Sequence, residues 1–326
     1  MARRDDSTRR EILRTGAAAV LGAGFSRPTR AETRLTIAKV AEDFALMMGD
    51  FGETLGIHRR NGLALAFVQI TQAKMVQAMV AGSVDMALAG GATLAFAAKG
   101  APLRAVAAIS GPPSIIVLIV RPDTTITTLD ALRGRIVAVT NIGSLTDWAV
   151  SQIAASRGWH PDDIRRVGVG DTPARVAALK TGAVDAAVID IAAALDLEER
   201  GEAKILLNFG SLITTFQNQI IFASEAAIAD KPDAVRAFVK GWFETIAYAR
   251  SHRPETVAFA EQALGVRASV ADKVYAQLMQ SDFFSSDGAI DPAVLAAMSE
   301  GFVALKLLPR DQPLAPYVND RFLPGT

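Results

Sequence analysis

The sequence predicts an α/β protein made of two similarly built halves. Three observations carry that expectation. Short apolar runs alternate with longer segments of helical period, the pattern of strands and covering helices. The chain has 326 residues, enough for two domains of roughly 150 residues each. A twelve-residue stretch recurs one hundred positions further on.

The first segment reads as an address. Arg3, Arg4, Arg9, Arg10 and Arg14 precede a small-apolar run over residues 16–25, and Ser26-Arg27-Pro28-Thr29-Arg30-Ala31 follows. This is the layout of an export signal. Thr8-Arg9-Arg10-Glu11-Ile12-Leu13-Arg14 resembles the twin-arginine signal, whose cargo crosses the membrane already folded. The run is shorter than the roughly 20 residues of a spanning helix, and no cysteine follows it for lipid attachment. A periplasmic protein, cleaved after Ala31 and not lipid-anchored, is expected.

Strands are expected over 35–40, 84–89, 105–109, 115–120, 136–139, 184–189 and 220–223, mostly continuous apolar runs bounded by Gly, Pro or Asp. The repeat pairs residues 76–87 with 176–187, sharing Val, Ala, Gly, Val, Asp and Ala at equal positions. Each copy reads as a helix, a glycine cap and a buried strand. Arg121-Pro122-Asp123 punctuates one strand ahead of a short capped helix ending at Gly134, and the first crossing between halves is expected there. The second is expected at residues 218–223. The predicted division is a signal over 1–31, a first lobe over 32–121 and 220–326, and a second lobe over 122–219. Pro232, Pro254 and Pro292 each open a helix. Val235, Phe238, Val239, Trp242, Phe243 and Ile246 form one apolar stripe, and Leu295, Met298, Phe302 and Leu305 another.

Composition removes several classes of function. An apolar fraction of 50% and a mean hydropathy of +0.25 argue for a folded chain. Lys+Arg and Asp+Glu both number 34, so no global field attracts nucleic acid. Without cysteine there is no disulfide, thiolate nucleophile or thiolate-held metal. His58, His160 and His252 form no metal-ligand spacing. No cofactor or metal is expected.

Three stretches carry a resemblance: residues 82–92, residues 129–139 with Gly143-Ser144-Leu145-Thr146-Asp147-Trp148, and residues 231–238. Over about 33–310 the chain resembles the periplasmic substrate-binding proteins of nitrate, sulfonate, taurine and thiamine-precursor importers, of the type-II binding-protein fold. The resemblance implies two mixed sheets flanked by helices and joined by two hinge strands. It also implies a small-molecule ligand held between the lobes, no enzymatic activity, and delivery to an ABC permease driven by its ATPase. The expected protein is a monomer.

The candidate ligand-binding residues follow from placement at strand ends. Glu42, Asp43 and Phe44 follow the first strand; a carboxylate there either pairs with a ligand amine or favours a helix start. Gly90, Gly91 and Ala92 follow the next and let a ligand approach the backbone. The resemblance places an anionic head group at Gly143 and Ser144; Ser144 with Asp147 also fits an ordinary helix cap, and both can hold. Asp190 corresponds by repeat to Gly90 and is expected to face the cleft, while Gln217 and Asn218 precede the second crossing. No arginine stands on these loops, which favours an amphoteric, hydroxylated or heteroaromatic ligand over a strong oxyanion. Two further readings share the fold: an enzyme acting on a small metabolite, and a periplasmic sensor.

Overall fold

The apolar runs pair into two mixed five-stranded sheets. A computed structural model describes residues 32–310 and 312–325; the expected export signal lies outside the described residues. The strands are β1 (Thr33–Lys39), β2 (Leu63–Gln69), β3 (Met86–Gly90), β4 (Leu103–Ser110), β5 (Ile116–Val120), β6 (Ile136–Val139), β7 (Arg165–Gly168), β8 (Ala186–Asp190), β9 (Lys204–Asn208) and β10 (Gln219–Ser224). The first sheet runs β2-β1-β3-β10-β4 and the second β7-β6-β8-β5-β9. In each, four strands run in one direction and the fifth, β10 or β5, is antiparallel to both its neighbours.

Helices cover the faces: α1 (Met47–Thr54), α2 (Ile57–Arg60), α3 (Gln72–Val80), α4 (Leu94–Ala98), α5 (Leu145–Ser156), α6 (Thr172–Lys180), α7 (Ile191–Glu199), α8 (Glu225–Asp230), α9 (Pro232–Ser251), α10 (Arg253–Leu264), α11 (Ala268–Met279) and α12 (Pro292–Ala304). α9, α10 and α12 carry proline in their first turn, where no N–H is needed. Val235, Phe238, Val239, Trp242 and Ile246 are buried along α9, with Phe243 at the edge of the stripe. No described helix is long and apolar enough to cross a membrane.

The repeat is physical as well as textual. Gly82 and Gly182 end α3 and α6 with φ of 72° and 73°, a left-handed conformation that glycine adopts at little cost. The following aspartates do equal work: Asp85 Oδ2 accepts from Thr36 N at 2.9 Å and Asp185 Oδ2 from Ile136 N at 2.8 Å. Each pins the strand bearing it to a parallel neighbour. The equivalence continues to the carboxyl ends, where Gln219 opposes Gly90 and Ile116 opposes Asp190.

The crossings differ from the sequence expectation. β5 was placed in the first lobe, but it pairs with β8 and β9, so the first crossing lies ahead of it, over residues 111–115. Arg121 and Pro122 mark only a turn inside the second half. The return runs between Asn208 and Gln219. Neither join is a strand: Pro112 and Pro113 remove ladder donors from the first, and a 310 turn (Phe209–Ser211) opens the second. The joins lie against β4 and β3, since Asn218 N donates to Ser110 O and Gly111 O, and Asn218 O accepts from Gly91 N at 2.9 Å.

Two apolar clusters each touch both sheets. One joins Leu35, Ile37 and Leu88 to Ile119, Ile189 and Leu195 through Phe284 and the inner face of α11. The other joins Ala87 and Phe222 to Val137 and Val188 beside Trp148, Phe216 and Phe302. The two halves accordingly form one compact unit.

Candidate functional site

Parallel strands deliver their carboxyl ends, and the loops that follow, to one edge of each sheet, where ligands of open α/β sheets gather. At this edge the first sheet presents the loop after β1, Gly90 and Gly91 after β3, Ser110 ending β4 and Gln219 opening β10. The second presents Thr140 after β6, Asp190 ending β8 and Ile116 opening β5.

Asp43 is buried, and every oxygen is engaged. Its Oδ1 accepts from Ala45 N at 2.9 Å and Leu46 N at 2.8 Å, and its Oδ2 accepts from Gln219 Nε2 at 2.7 Å. Gln219 is oriented in turn by Ser110 Oγ, which donates to its Oε1 at 3.1 Å. Asp190 is half-buried and caps α7, its Oδ1 accepting from Ala192 N at 2.8 Å. Burial pushes Asp43 up to about 6, against the pull of its three donors. Burial, with the nearby charge of Asp43, pushes Asp190 up to about 7. A neighbouring carboxylate charge disfavours ionisation, in the same direction as burial.

Other expected site residues are spoken for. Glu42 is an ion-pair partner of Lys39, whose Nζ reaches both its oxygens at 2.9 Å and also bonds Asp50. Burial works against the Lys39 charge, and these two carboxylates outweigh it, raising its pKa. Phe44 is 1% exposed and packs on Phe284 at 6.4 Å, so it is core. Gln217 Nε2 donates to Ser110 O, clamping the crossing. Gly91 is required by that crossing: a Cβ there would stand 2.1 Å from Gln217 O and 2.8 Å from Met298 Cε. Gly90 ends β3, and Ala92 lies in the 310 turn that follows.

Gly143 and Ser144 open α5 as expected, but Ser144 Oγ is turned inward. It accepts from Asp147 N at 3.4 Å and bonds Thr146 Oγ1 at 2.9 Å, while Gly143 N donates to Asp147 Oδ2 at 2.8 Å. Thr146 Oγ1 donates to Thr140 Oγ1 at 3.2 Å. Its single proton being spent, Ser144 is the donor in the Ser144–Thr146 bond. Thr140 Oγ1 also accepts from Arg175 Nη1 at 2.6 Å, so its own proton is directed away from this chain of hydroxyls.

Arg175 is the functional candidate that the loops did not reveal. It is 6% exposed, it is held by Thr140 and Thr172, and its buried Nε has no partner. Burial lowers its pKa, opposed by Asp171. The guanidinium arrives from α6 rather than from a loop. The repeat held the signal: position 175 matches Met75, which is fully buried, so a charge replaces a core methionine. Cavities of about 400 and 480 Å³ flank Trp148, the second lined by Gly143, Asp147, Arg166 and Lys306.

Two mixed five-stranded sheets with facing carboxyl ends define the periplasmic binding-protein fold. The alkanesulfonate-binding protein SsuA from Xanthomonas axonopodis pv. citri, bound to MOPS, superposes with a TM-score of 0.73 at 22% identity, covering 89% of this chain and 99% of that one. The periplasmic aliphatic sulphonate binding protein SsuA from Escherichia coli gives 0.74 at 21%, covering 88% and 92%. The desulfurization enzyme DszB gives 0.64 at 16%, covering 89% and 97%. At these identities the likeness concerns the fold. Among curated proteins no sequence matches significantly. The family model described as NMT1/THI5 like matches residues 51–256, well over half of the sequence, and the chain belongs to that family.

Proposed function

We propose that this chain is the solute-capturing component of an ABC import system, which closes its two halves on a small organic molecule and presents it to a membrane permease driven by an ATPase. The observation that carries this reading is the pair of similarly built mixed sheets, joined by residues 111–115 and 209–218, whose strands carry Asp43 and Asp190 at or just beyond their carboxyl ends. A ligand seated there touches both halves, and its affinity for the closed arrangement sets the population of that arrangement. The two joins, residues 111–115 and 209–218, act as the hinge, and the halves divide there. The likeness to two SsuA proteins supports a periplasmic setting, reached by the twin-arginine route.

Thr140, backed by Arg175, and the backbone that opens α5 supply donors for an acceptor group of the ligand. Asp190 supplies the acid end of the site. A screen of small acids, amines and heteroaromatics by thermal shift tests the reading, because a ligand at 100 times its dissociation constant adds about 2.7 kcal/mol. Saturable stabilisation by a compound recovered unaltered is the expected result. A compound consumed on incubation would replace this reading with the enzymatic one, which the likeness to DszB and the paired acids favour as the second choice.

A further inference from the structure

The larger of the two cavities beside Trp148, about 480 Å³, lies between the first turn of α5, the start of β7 and the end of α12. A cavity of that size holds a small organic molecule. Neither the strand-end residues Asp43, Gly90 and Asp190 nor Ser144, whose hydroxyl is turned to Thr146, line it. One wall carries a buried charge. Asp147 is 6% exposed; its Oδ2 accepts from Gly143 N at 2.8 Å, and its buried Oδ1 makes no hydrogen bond. Buried polar atoms of this kind ask for an explanation. Arg166 brings Nε to 3.4 Å from Asp147 Oδ1 and Nη2 to 3.5 Å from the exposed Asp162. Its Nη1 is left without a hydrogen bond among the described residues.

Lys306 lines the same cavity and ends α12 where glycine is the usual choice. Its N donates to Val303 O at 2.9 Å and Leu307 N donates to Phe302 O at 2.8 Å, the Schellman ending whose turning residue is left-handed. At Lys306 φ is 57°, and no other described non-glycine residue has a positive φ. A side chain held in that conformation is strained, and such strain gathers at binding and switch sites. Lys306 is exposed and forms no ion pair among the described residues.

We infer that this cavity is a second small-molecule site, distinct from the strand ends, which takes a monoanionic carboxylic acid with an apolar body. The carboxylate sits between Arg166 and Lys306, and the body lies against Trp148, Pro161 and Leu305. A guanidinium offers paired donors to a carboxylate, and a lysine adds a point charge. The charges set the class of ligand. Arg166 and Lys306 against Asp147 leave one positive charge in the lining, which a monoanion matches, whereas a dianion would also meet the Asp147 carboxylate. A neutral molecule of the same shape would leave both cations without a new partner. Ile142, 66% exposed at this cavity, loses water to an apolar body and not to an inorganic ion.

The test titrates the full chain with sodium benzoate, with benzamide as its neutral isostere and with sodium phosphate, at equal ionic strength, by calorimetry and NMR. The expected result is saturable binding of benzoate alone, with Overhauser contacts from its ring to the indole of Trp148. Lys306→Gly removes the charge and suits the left-handed backbone. That variant should melt no lower than the parent and bind benzoate about tenfold more weakly, while Lys306→Arg keeps the affinity. Failure of benzoate to saturate, equal binding of benzamide, or undiminished binding by Lys306→Gly would each overturn the proposal. Equal losses with arginine and glycine would make the position one of shape and sink the role of its charge. Phosphate bound in preference to benzoate would sink the apolar acid, and benzoate bound without contact to Trp148 would place it elsewhere and sink the site.

Discussion

Asp190 keeps its proton to about pH 7 because its site is buried and faces another acid, and that ties stability to pH. In the unfolded chain both aspartates ionise near their ordinary 3.8, whereas in the fold they do so at about 6 and about 7. The fold therefore binds more protons between those values. Their penalty is absent below pH 3.8 and fully developed above about pH 7. Acidifying the ligand-free protein from pH 8 to 6 should raise its melting temperature, and Asp190→Asn should flatten that rise; an unchanged slope would mean the acids do not interact. Arg175 is the opposite kind of residue, a charge in a core position bonded to hydroxyls, with the charge of Asp171 nearby. Arg175→Met, which installs the residue found at the equivalent position in the first half, should hold or raise the melting temperature by calorimetry while weakening ligand capture. The strand-end acids and glycines were legible because such positions follow from where apolar runs stop. Arg175 was not legible from its loop, since it reaches the site along α6, and only comparison with Met75 exposes it.

Among the strands, those between two neighbours were read well, and three of the four at an edge were missed. β1, β3, β6, β8 and β10 are flanked by a strand on each side, and their sequences run apolar because helices cover both faces. β2, β4, β7 and β9 are edges, and of these β4 was read from its apolar run over 105–109. Arg165-Arg166-Val167-Gly168 and Lys204-Ile205-Leu206-Leu207-Asn208 mix charge with apolar residues, as an edge exposed to water permits. β5 was recognised as a strand but given to the wrong sheet, because a strand's own residues do not name its partner. Helix α2 carries a second consequence of packing. His58 is fully buried between Gly52 of α1, Gly241 of α9 and the ring of Phe238, on which it stacks at 5.1 Å. Burial pushes it down to about 4. A histidine with a lowered folded pKa contributes stability that is complete above pH 6.5 and is lost as pH falls toward 4. It opposes the aspartates in the same window. Its imidazole protons, followed by NMR, should titrate with a midpoint near 4; a midpoint near 6.5 would place the ring in water.

At the scale of the molecule, two apolar clusters span both sheets, so the halves on either side of the two short joins are in contact. Arg267, which precedes α11, and Lys273 within it pair with Asp196 and Glu199 of α7, a polar contact at the surface that salt screens. The exchange of strands between sheets also fixes an order of assembly. β10 lies between β3 and β4, so the first sheet stays in two pieces until residue 224 has been made. The second sheet, started later, already holds all its strands once Asn208 has left the ribosome. Pulse-labelled hydrogen exchange during refolding should protect the amides of β6 and β8 ahead of those joining β3 to β10, with the reverse order counting against this account. For a chain read off from its amino end, the half that is begun first is the half that is finished last.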